Sequence, residues 1–254
     1  PDLHRLKPYP FEQLAALFAD AKTPNDLKLI PLSIGEPQHA PPQFVLDTLI
    51  EHTGLIAKYP TTRGTDTLRQ SIATWLNRRF SLETGPVNPD TNVIPVNGTR
   101  EAIFAALQAA VDRRAGGMVV IPNPFYQIYE GAAFMAGLSP YYLPFTESGQ
   151  PDYHAVPDTV WKGCQFCVIC TPGNPTGTVI DEATLAMLIE KAHQFDFWLA
   201  SDECYSEIYR DTPPAGLLEV CSTTGNTEFK KCMVFHSLSK RSNLPGLRSG
   251  FVAG

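Results

Sequence analysis

Near one end of the chain, Lys240 lies between small hydroxyl residues in Ser237-Leu238-Ser239-Lys240-Arg241-Ser242, and Arg248 follows eight positions later. Apolar, strand-like segments flank this stretch: Cys232 to Phe235 before it and Phe251 to Ala253 after it. A lysine at a strand end can form an imine with an aldehyde, while a nearby serine and arginine hold a dianion. Four other short segments carry chemistry that fits the same ligand. Asn97-Gly98-Thr99-Arg100 opens a helix, where free N–H groups and the helix dipole favour an anion; Gly98 permits close approach and Thr99 offers a hydroxyl. Asn123-Pro124-Phe125-Tyr126 puts an aromatic ring at a helix start, able to stack on a flat ring. Thr171-Pro172-Gly173-Asn174-Pro175-Thr176-Gly177 is a rigid turn whose Asn174 amide can donate to a ring oxygen. Ser201-Asp202-Glu203-Cys204-Tyr205 follows a short apolar run. A carboxylate at such a strand end needs a partner, and a protonated ring nitrogen would supply one for Asp202, with Tyr205 donating to a phenolic oxygen.

Each segment also has a plainer reading: a solvated surface lysine, an ordinary helix cap, a packed core aromatic, an aspartate paired with an internal arginine. Their common placement, each after a strand, favours a single site. From residue 92 the apolar pattern alternates between strand and helix. Strands are expected over Val93–Val96, Met118–Ile121, Leu138–Leu143, Phe166–Cys170 and Trp198–Ala200, and helices over Ala102–Val111, Tyr126–Ala136 and Glu182–Phe195. That order predicts an α/β fold, a three-layer sandwich with a mainly parallel mixed sheet covered on both faces. Ligands of such sheets bind at the carboxyl ends of the strands. Before residue 92, Tyr9-Pro10-Phe11 leads into a short amphipathic helix with Leu14, Leu17 and Phe18 on one face. Leu29 to Ile34 reads as a short strand ending at Gly35, which permits close backbone approach to a ligand. Two further helices are expected, one opened by Pro41-Pro42 and one carrying Ile72, Trp75, Leu76 and Phe80.

The 254 residues carry a formal net charge of −6 with scattered basic residues, which gives no nucleic-acid footprint. No apolar run is long enough to span a membrane, and the first residues lack the apolar core of a signal peptide, so a cytoplasmic location is expected. Of six cysteines, Cys164, Cys167 and Cys170 have the spacing of part of an iron–sulfur run, but no fourth ligand follows. Strand alternation puts Cys164 and Cys170 on one face and Cys167 on the other, as small apolar residues. No metal site is expected.

On the motifs Asn174-Pro175-Thr176-Gly177, Ser201-Asp202-Glu203-Cys204-Tyr205 and Ser237-Leu238-Ser239-Lys240 with Arg248, the chain resembles the fold type I pyridoxal phosphate enzymes, specifically the class I/II aminotransferases. The resemblance runs from Ile34-Gly35-Glu36-Pro37 to the last residue. It implies pyridoxal 5'-phosphate as cofactor, with Lys240 as the Schiff-base lysine and proton shuttle and Asp202 on the pyridine nitrogen. Asn174 and Tyr205 would bind the ring oxygen, Tyr126 would stack on the ring, and Gly98, Thr99, Arg100, Ser237 and Arg248 would hold the phosphate. Tyr59 would reach the phosphate of the neighbouring subunit of a homodimer, and Gly35 would lie against the substrate carboxylate. Residues 1–40 would be an arm and part of a small domain, and residues 41–254 the cofactor-binding large domain.

Leu6 to Phe11, Pro95 to Glu101, Asn123 to Gly131 and Ser237 to Gly254 are similar, more narrowly, to the succinyldiaminopimelate aminotransferases of lysine biosynthesis. These move an amino group between glutamate and N-succinyl-2-amino-6-oxopimelate. The resemblance also implies a small domain after Gly254 with the arginine that clamps the substrate carboxylate; without it, weak cofactor binding and poor turnover are expected. Other readings are another class I/II aminotransferase, a pyridoxal phosphate lyase or decarboxylase, an effector-sensing module of a transcription regulator, and a serine acylase using Ser237 and Lys240 as a Ser-x-x-Lys motif.

Overall fold

A computed structural model describes the chain except Pro1, Thr23, Asn25, Leu29 and Pro31. In chain order the helices are α1 (Pro10–Leu17), α2 (Gln43–Glu51), α3 (Asp66–Arg79), α4 (Thr99–Ala110), α5 (Ile128–Met135), α6 (Asp158–Gly163), α7 (Glu182–Phe195), α8 (Leu217–Thr223) and α9 (Leu238–Arg241). The strands are β1 (Val93–Val96), β2 (Met118–Pro122), β3 (Ser139–Leu143), β4 (Cys164–Cys170), β5 (Trp198–Asp202), β6 (Cys232–Ser237) and β7 (Gly250–Ala253).

The strands form a seven-stranded sheet in the order β1-β7-β6-β5-β4-β2-β3. Neighbours from β6 through β3 run parallel, and β7 is antiparallel to both β6 and β1. Six strands therefore point one way and β7 alone returns, so the expected mainly parallel mixed sheet is what forms. β1 contains Pro95 without penalty because it is an edge strand and one side of its backbone needs no ladder partner.

Helices cover both faces. On one, Ala102, Ile103 and Leu107 of α4 and Tyr129, Ala132 and Ala133 of α5 pack on Val119, Ile121, Phe166, Val168, Ala200 and Phe235. On the other, Ile72 and Leu76 of α3, Leu185, Leu188 and Ile189 of α7 and Leu217 and Leu218 of α8 pack on Val120, Cys167, Ile169, Leu199 and Val234. Near-continuous apolar strands are what a sheet buried on both faces requires.

Two expectations need correcting. Cys164 and Cys167 share the face of α3 and α7, not opposite faces. The pairing of β4 with β2 slips at Met118/Val119, so that Cys164 and Phe166 oppose consecutive β2 residues and Gln165 is skipped. That bulge inverts the alternation, and Cys170 ends on the opposite face, beside Tyr129 and Asp202. The strand expected over residues 29–34 does not form: Ile30 and Leu32 to Ile34 are not in a strand, and Leu29 and Pro31 lie outside the described residues.

The start of the chain is held by polar contacts. Lys7 Nζ reaches Glu130 Oε1 at 2.6 Å, and Arg5 donates to the Leu138 carbonyl at 3.1 Å. Apolar side chains of α1 and α2 remain uncovered, among them Leu17, Phe44 and Ile50, as does Phe18 just after α1. No helix among the described residues is long and apolar enough to cross a membrane.

Candidate cofactor site

Because six strands run the same way, their carboxyl ends share one edge of the sheet. The register aligns them closely: Val96 pairs with Gly250, Gly250 with Ser237, Asp202 with Phe235 and Cys170 with Asp202. The segments after β1, β4, β5 and β6 therefore converge.

Asp202 ends β5 and is 5% exposed. The Tyr129 hydroxyl donates to its Oδ2 at 2.7 Å, and the Cys204 N–H approaches Oδ1 at 3.3 Å. Burial pushes the Asp202 carboxyl up, and the Tyr129 and Cys204 donors oppose that shift. Burial, then the Asp202 charge, also pushes the Tyr129 phenol well up, so Tyr129 is a fixed donor. Tyr126 stands edge-on to Tyr129, with ring centres 5.8 Å apart, and its hydroxyl accepts from Arg100 Nε at 2.8 Å. Tyr205 is half-buried; burial first and the Asp202 charge second raise its phenol. Asn174 is half-buried in the turn after β4, with its backbone N–H against the Cys170 thiol.

Gly98 precedes α4 with φ of 111°, a conformation that favours glycine. A Cβ there would collide with the Arg248 guanidinium, so the missing side chain is what admits Arg248 to the start of α4. Arg248, itself left-handed with φ of 49°, donates to Glu101 Oε2 at 3.1 Å and to the Pro245 carbonyl at 3.2 Å. Thr99 Oγ1 lies 3.2 Å from Cys204 Sγ, which ties the α4 start to the turn after β5.

Lys240 lies on α9, directly after β6. Ser237 caps that helix: its Oγ accepts from the Ser239 N–H at 3.0 Å and its hydroxyl donates to Ser239 Oγ at 2.8 Å. The half-buried Lys240 donates from Nζ to the Gly35 carbonyl, and Asn243 Nδ2 donates to the carbonyls of His39 at 2.6 Å and Ala40 at 3.0 Å. Gly35 is thus brought to the lysine, although its segment is not a strand. Tyr59 is not brought to the others; it is fully exposed. The Ser-x-x-Lys reading fits poorly, because Ser237 is occupied as a cap and the Lys240 amine is directed at Gly35.

Sequence reasoning had passed over Tyr129, Cys204 and the pair Glu203–His236. Glu203 and His236 are 1% and 0% exposed, and His236 Nε2 lies 3.1 Å from Glu203 Oε2 but out of line for a hydrogen bond. The helix expected over Tyr126–Ala136 begins only at Ile128, so Tyr126 lies just ahead of α5 and Tyr129 within its first turn.

A family model described as aminotransferase class I and II matches residues 28–254. The chain belongs to that family. Its members are dependent on pyridoxal phosphate. The chain is 30% identical to an LL-diaminopimelate aminotransferase of Desulforudis audaxviator, over 99% of its own length and 63% of the relative's. Among solved structures, an aminotransferase from Neisseria meningitidis superposes with a TM-score of 0.93 at 40% identity, covering 100% of this chain and 64% of that one. A probable N-succinyldiaminopimelate aminotransferase from Thermus thermophilus gives 0.79 at 28% identity, over 89% of this chain and 59% of that one. The chain therefore spans under two thirds of the length of the relatives it matches.

The residues fit the family's cofactor. A buried carboxylate with two donors, and no cation bonded to it among the described residues, suits a protonated pyridine nitrogen. The start of α4, where Gly98 admits the Arg248 guanidinium beside the helix N-terminus, suits a phosphate.

Proposed function

We propose that this chain is the cofactor-binding part of a cytoplasmic, homodimeric, pyridoxal phosphate-dependent aminotransferase. Its amino-group substrate is a diaminopimelate-type amino acid, N-succinyl-L,L-2,6-diaminopimelate, exchanged with glutamate and 2-oxoglutarate in lysine biosynthesis. The observation that carries the reading is that Asp202 ends β5 while Lys240 lies three residues past the end of the adjacent parallel β6, with Asp202 in register with Phe235. Neighbouring strands lie about 5 Å apart, a span one small aromatic ring can bridge. For the diaminopimelate substrate, the support is the family match together with the names of the Desulforudis and Thermus relatives. The succinylated form rests on the similarity of Leu6 to Phe11 and Asn123 to Gly131 to that group of enzymes.

Pyridoxal phosphate supplies an aldehyde for a lysine amine and a ring that withdraws electrons. Asp202, kept in place by Tyr129 and Cys204, would hold the proton on the ring nitrogen. Tyr126 would cover the ring, and Asn174 and Tyr205 would donate to the ring oxygen. Gly98, Thr99, Arg100, Ser237 and Arg248 would hold the phosphate. Lys240 Nζ would carry protons at the reacting carbon, and Gly35 would border the substrate carboxylate. Residues 1–40 act as the arm and part of the small domain, and residues 41–254 as the large domain.

The full-length enzyme, assayed with a panel of amino acids and 2-oxoglutarate, is expected to prefer N-succinyl-L,L-2,6-diaminopimelate. Preference for unmodified LL-diaminopimelate, or for another acid, removes the succinyl assignment and leaves the cofactor site standing. Lys240→Ala is expected to abolish borohydride trapping of the cofactor; undiminished trapping removes the site.

A further inference from the structure

α9 is four residues long, and Lys240 is its third. One helical turn has no stability of its own. The direction of the lysine must therefore be set by contacts made outside the turn. The Ser237 cap fixes where α9 begins, and the Leu238 N–H to Ser249 carbonyl bond at 3.0 Å ties that start to the approach to β7. At the other end of the turn stands Arg241.

The Arg241 guanidinium sits 4.0 Å from the ring centre of Trp75 on α3. Trp75 is itself a fixed plate. It meets His236 edge-on at 5.2 Å, Phe80 at 5.9 Å and Phe251 at 6.2 Å. His236, Phe80 and Phe251 are all buried. Arg241 is half-buried, and burial pulls its pKa down. The Glu207 charge reaches it, but that carboxylate is bonded to Arg79 Nε at 2.7 Å. The face of Trp75 is thus the main compensation for the water Arg241 has lost. Successive helical residues point about 100° apart. With Arg241 laid on α3, Lys240 is turned away from α3, to where its amine meets Gly35.

We propose that Arg241, through its stack on Trp75, is a positioning residue that sets the direction of the Lys240 side chain, away from α3 and towards Gly35. The inference rests on the reading of Lys240 as the lysine that captures the cofactor aldehyde. It assigns work to two side chains with no contact to the cofactor.

The test uses the full-length protein with pyridoxal phosphate and four variants: Arg241→Met, Arg241→Lys, Trp75→Leu and Trp75→Phe. At subsaturating cofactor, the fraction of Lys240 trapped by borohydride is read by peptide mass spectrometry, and visible dichroism per bound cofactor reports orientation. Thermal midpoints without cofactor are measured alongside. Arg241→Met and Trp75→Leu are expected to lower trapping roughly 3- to 30-fold, the size of a cation–π contact of about 0.5–2 kcal/mol. They should also change the dichroic band, while Trp75→Phe restores most of both signals and Arg241→Lys part. Wild-type trapping and dichroism in Arg241→Met and Trp75→Leu overturn the inference. So does a loss that follows the thermal midpoint alone, with Trp75→Phe as impaired as Trp75→Leu. Failure of the underlying reading looks different: the wild-type protein traps nothing at Lys240, and both proposals fall.

Discussion

Asp202 stands where stability and function pull apart. Burial raises its carboxyl, so in the pH range between its unfolded and folded pKa the folded state binds more of that proton than the unfolded state does. Between the unfolded pKa and the raised folded one, stability without cofactor falls as pH rises. On the proposed reading of the site, a pyridinium cation would offset that cost. Asp202→Asn is therefore expected to stabilise the cofactor-free protein at neutral pH by about 1 kcal/mol, or roughly 2–4 °C in melting midpoint. It is expected to weaken pyridoxal phosphate binding by roughly 30-fold or more. Tyr129→Phe should do something different. It removes the donor at 2.7 Å and raises the carboxyl further, lowering both cofactor-free stability and cofactor affinity, the latter roughly 10- to 100-fold. Calorimetry without cofactor and equilibrium dialysis with it separate the two; a midpoint for Asp202→Asn below wild type would contradict the account. Asp202 was legible in the sequence because a carboxylate after an apolar run demands a partner. Its actual partner in the folded chain, Tyr129, was not, because that contact depends on how α5 lies on the sheet. Glu203 and His236 escaped notice for the same reason: only the pairing of β5 with β6 brings them together.

At the scale of elements, what could be read locally was read well. α7 forms over Glu182–Phe195 as expected, because Asp181 caps it and Leu185, Leu188, Ile189 and Ala192 recur at helical spacing. The Asp181 Oδ1 accepts from the Thr184 N–H at 2.7 Å, and that N–H holds the carboxyl below its usual range. A lowered folded pKa contributes stability above the unfolded value of 3.8, and the contribution is lost as pH falls through the folded pKa. Asp181→Ala is expected to cost about 1 kcal/mol at neutral pH. Asp181→Ser should recover most of it and lack the acid sensitivity, measured as denaturation midpoints at neutral and acid pH. A midpoint for Asp181→Ser that falls in acid as steeply as wild type would discount the cap's titration. Elements set by distant neighbours were less legible. The bulge in β4 arises from its register with β2, so strand alternation alone put Cys164 and Cys167 on opposite faces when they share one. α6 and α8 are six and seven residues long, too short to carry a clear period, and tertiary packing decides them. α4 begins at Thr99, three residues ahead of the expected start, and that places the hydroxyl of Thr99 in its first turn, 3.2 Å from Cys204 Sγ.

The whole molecule shows a division that bears on assembly. The sheet and its two helical layers hold the buried apolar residues, whereas Leu17, Phe18, Phe44, Ile50, Leu55 and Ile56 of the first 60 residues are exposed. Within that uncovered region Tyr59 is fully exposed, remote in contact from every other candidate site residue. A side chain that completes a site only in a dimer should look like this in one subunit. If Tyr59 serves the partner's phosphate and Arg248 its own, the two lesions complement each other. Tyr59→Phe and Arg248→Ala homodimers should each bind pyridoxal phosphate weakly. Dimers formed after mixing and refolding the two variants one to one should contain one intact site and one doubly damaged site. Half of a random mixture is mixed dimer, so about a quarter of all sites should recover wild-type affinity. The measurement is a cofactor titration of the full-length protein before and after subunit exchange, read as the tight-binding fraction. No tight fraction after verified exchange would mean that Tyr59 acts within its own subunit, and tight binding by half of all sites already before exchange would mean that it has no part in the site. The exposed apolar face of α2 would then need another explanation than dimer contact.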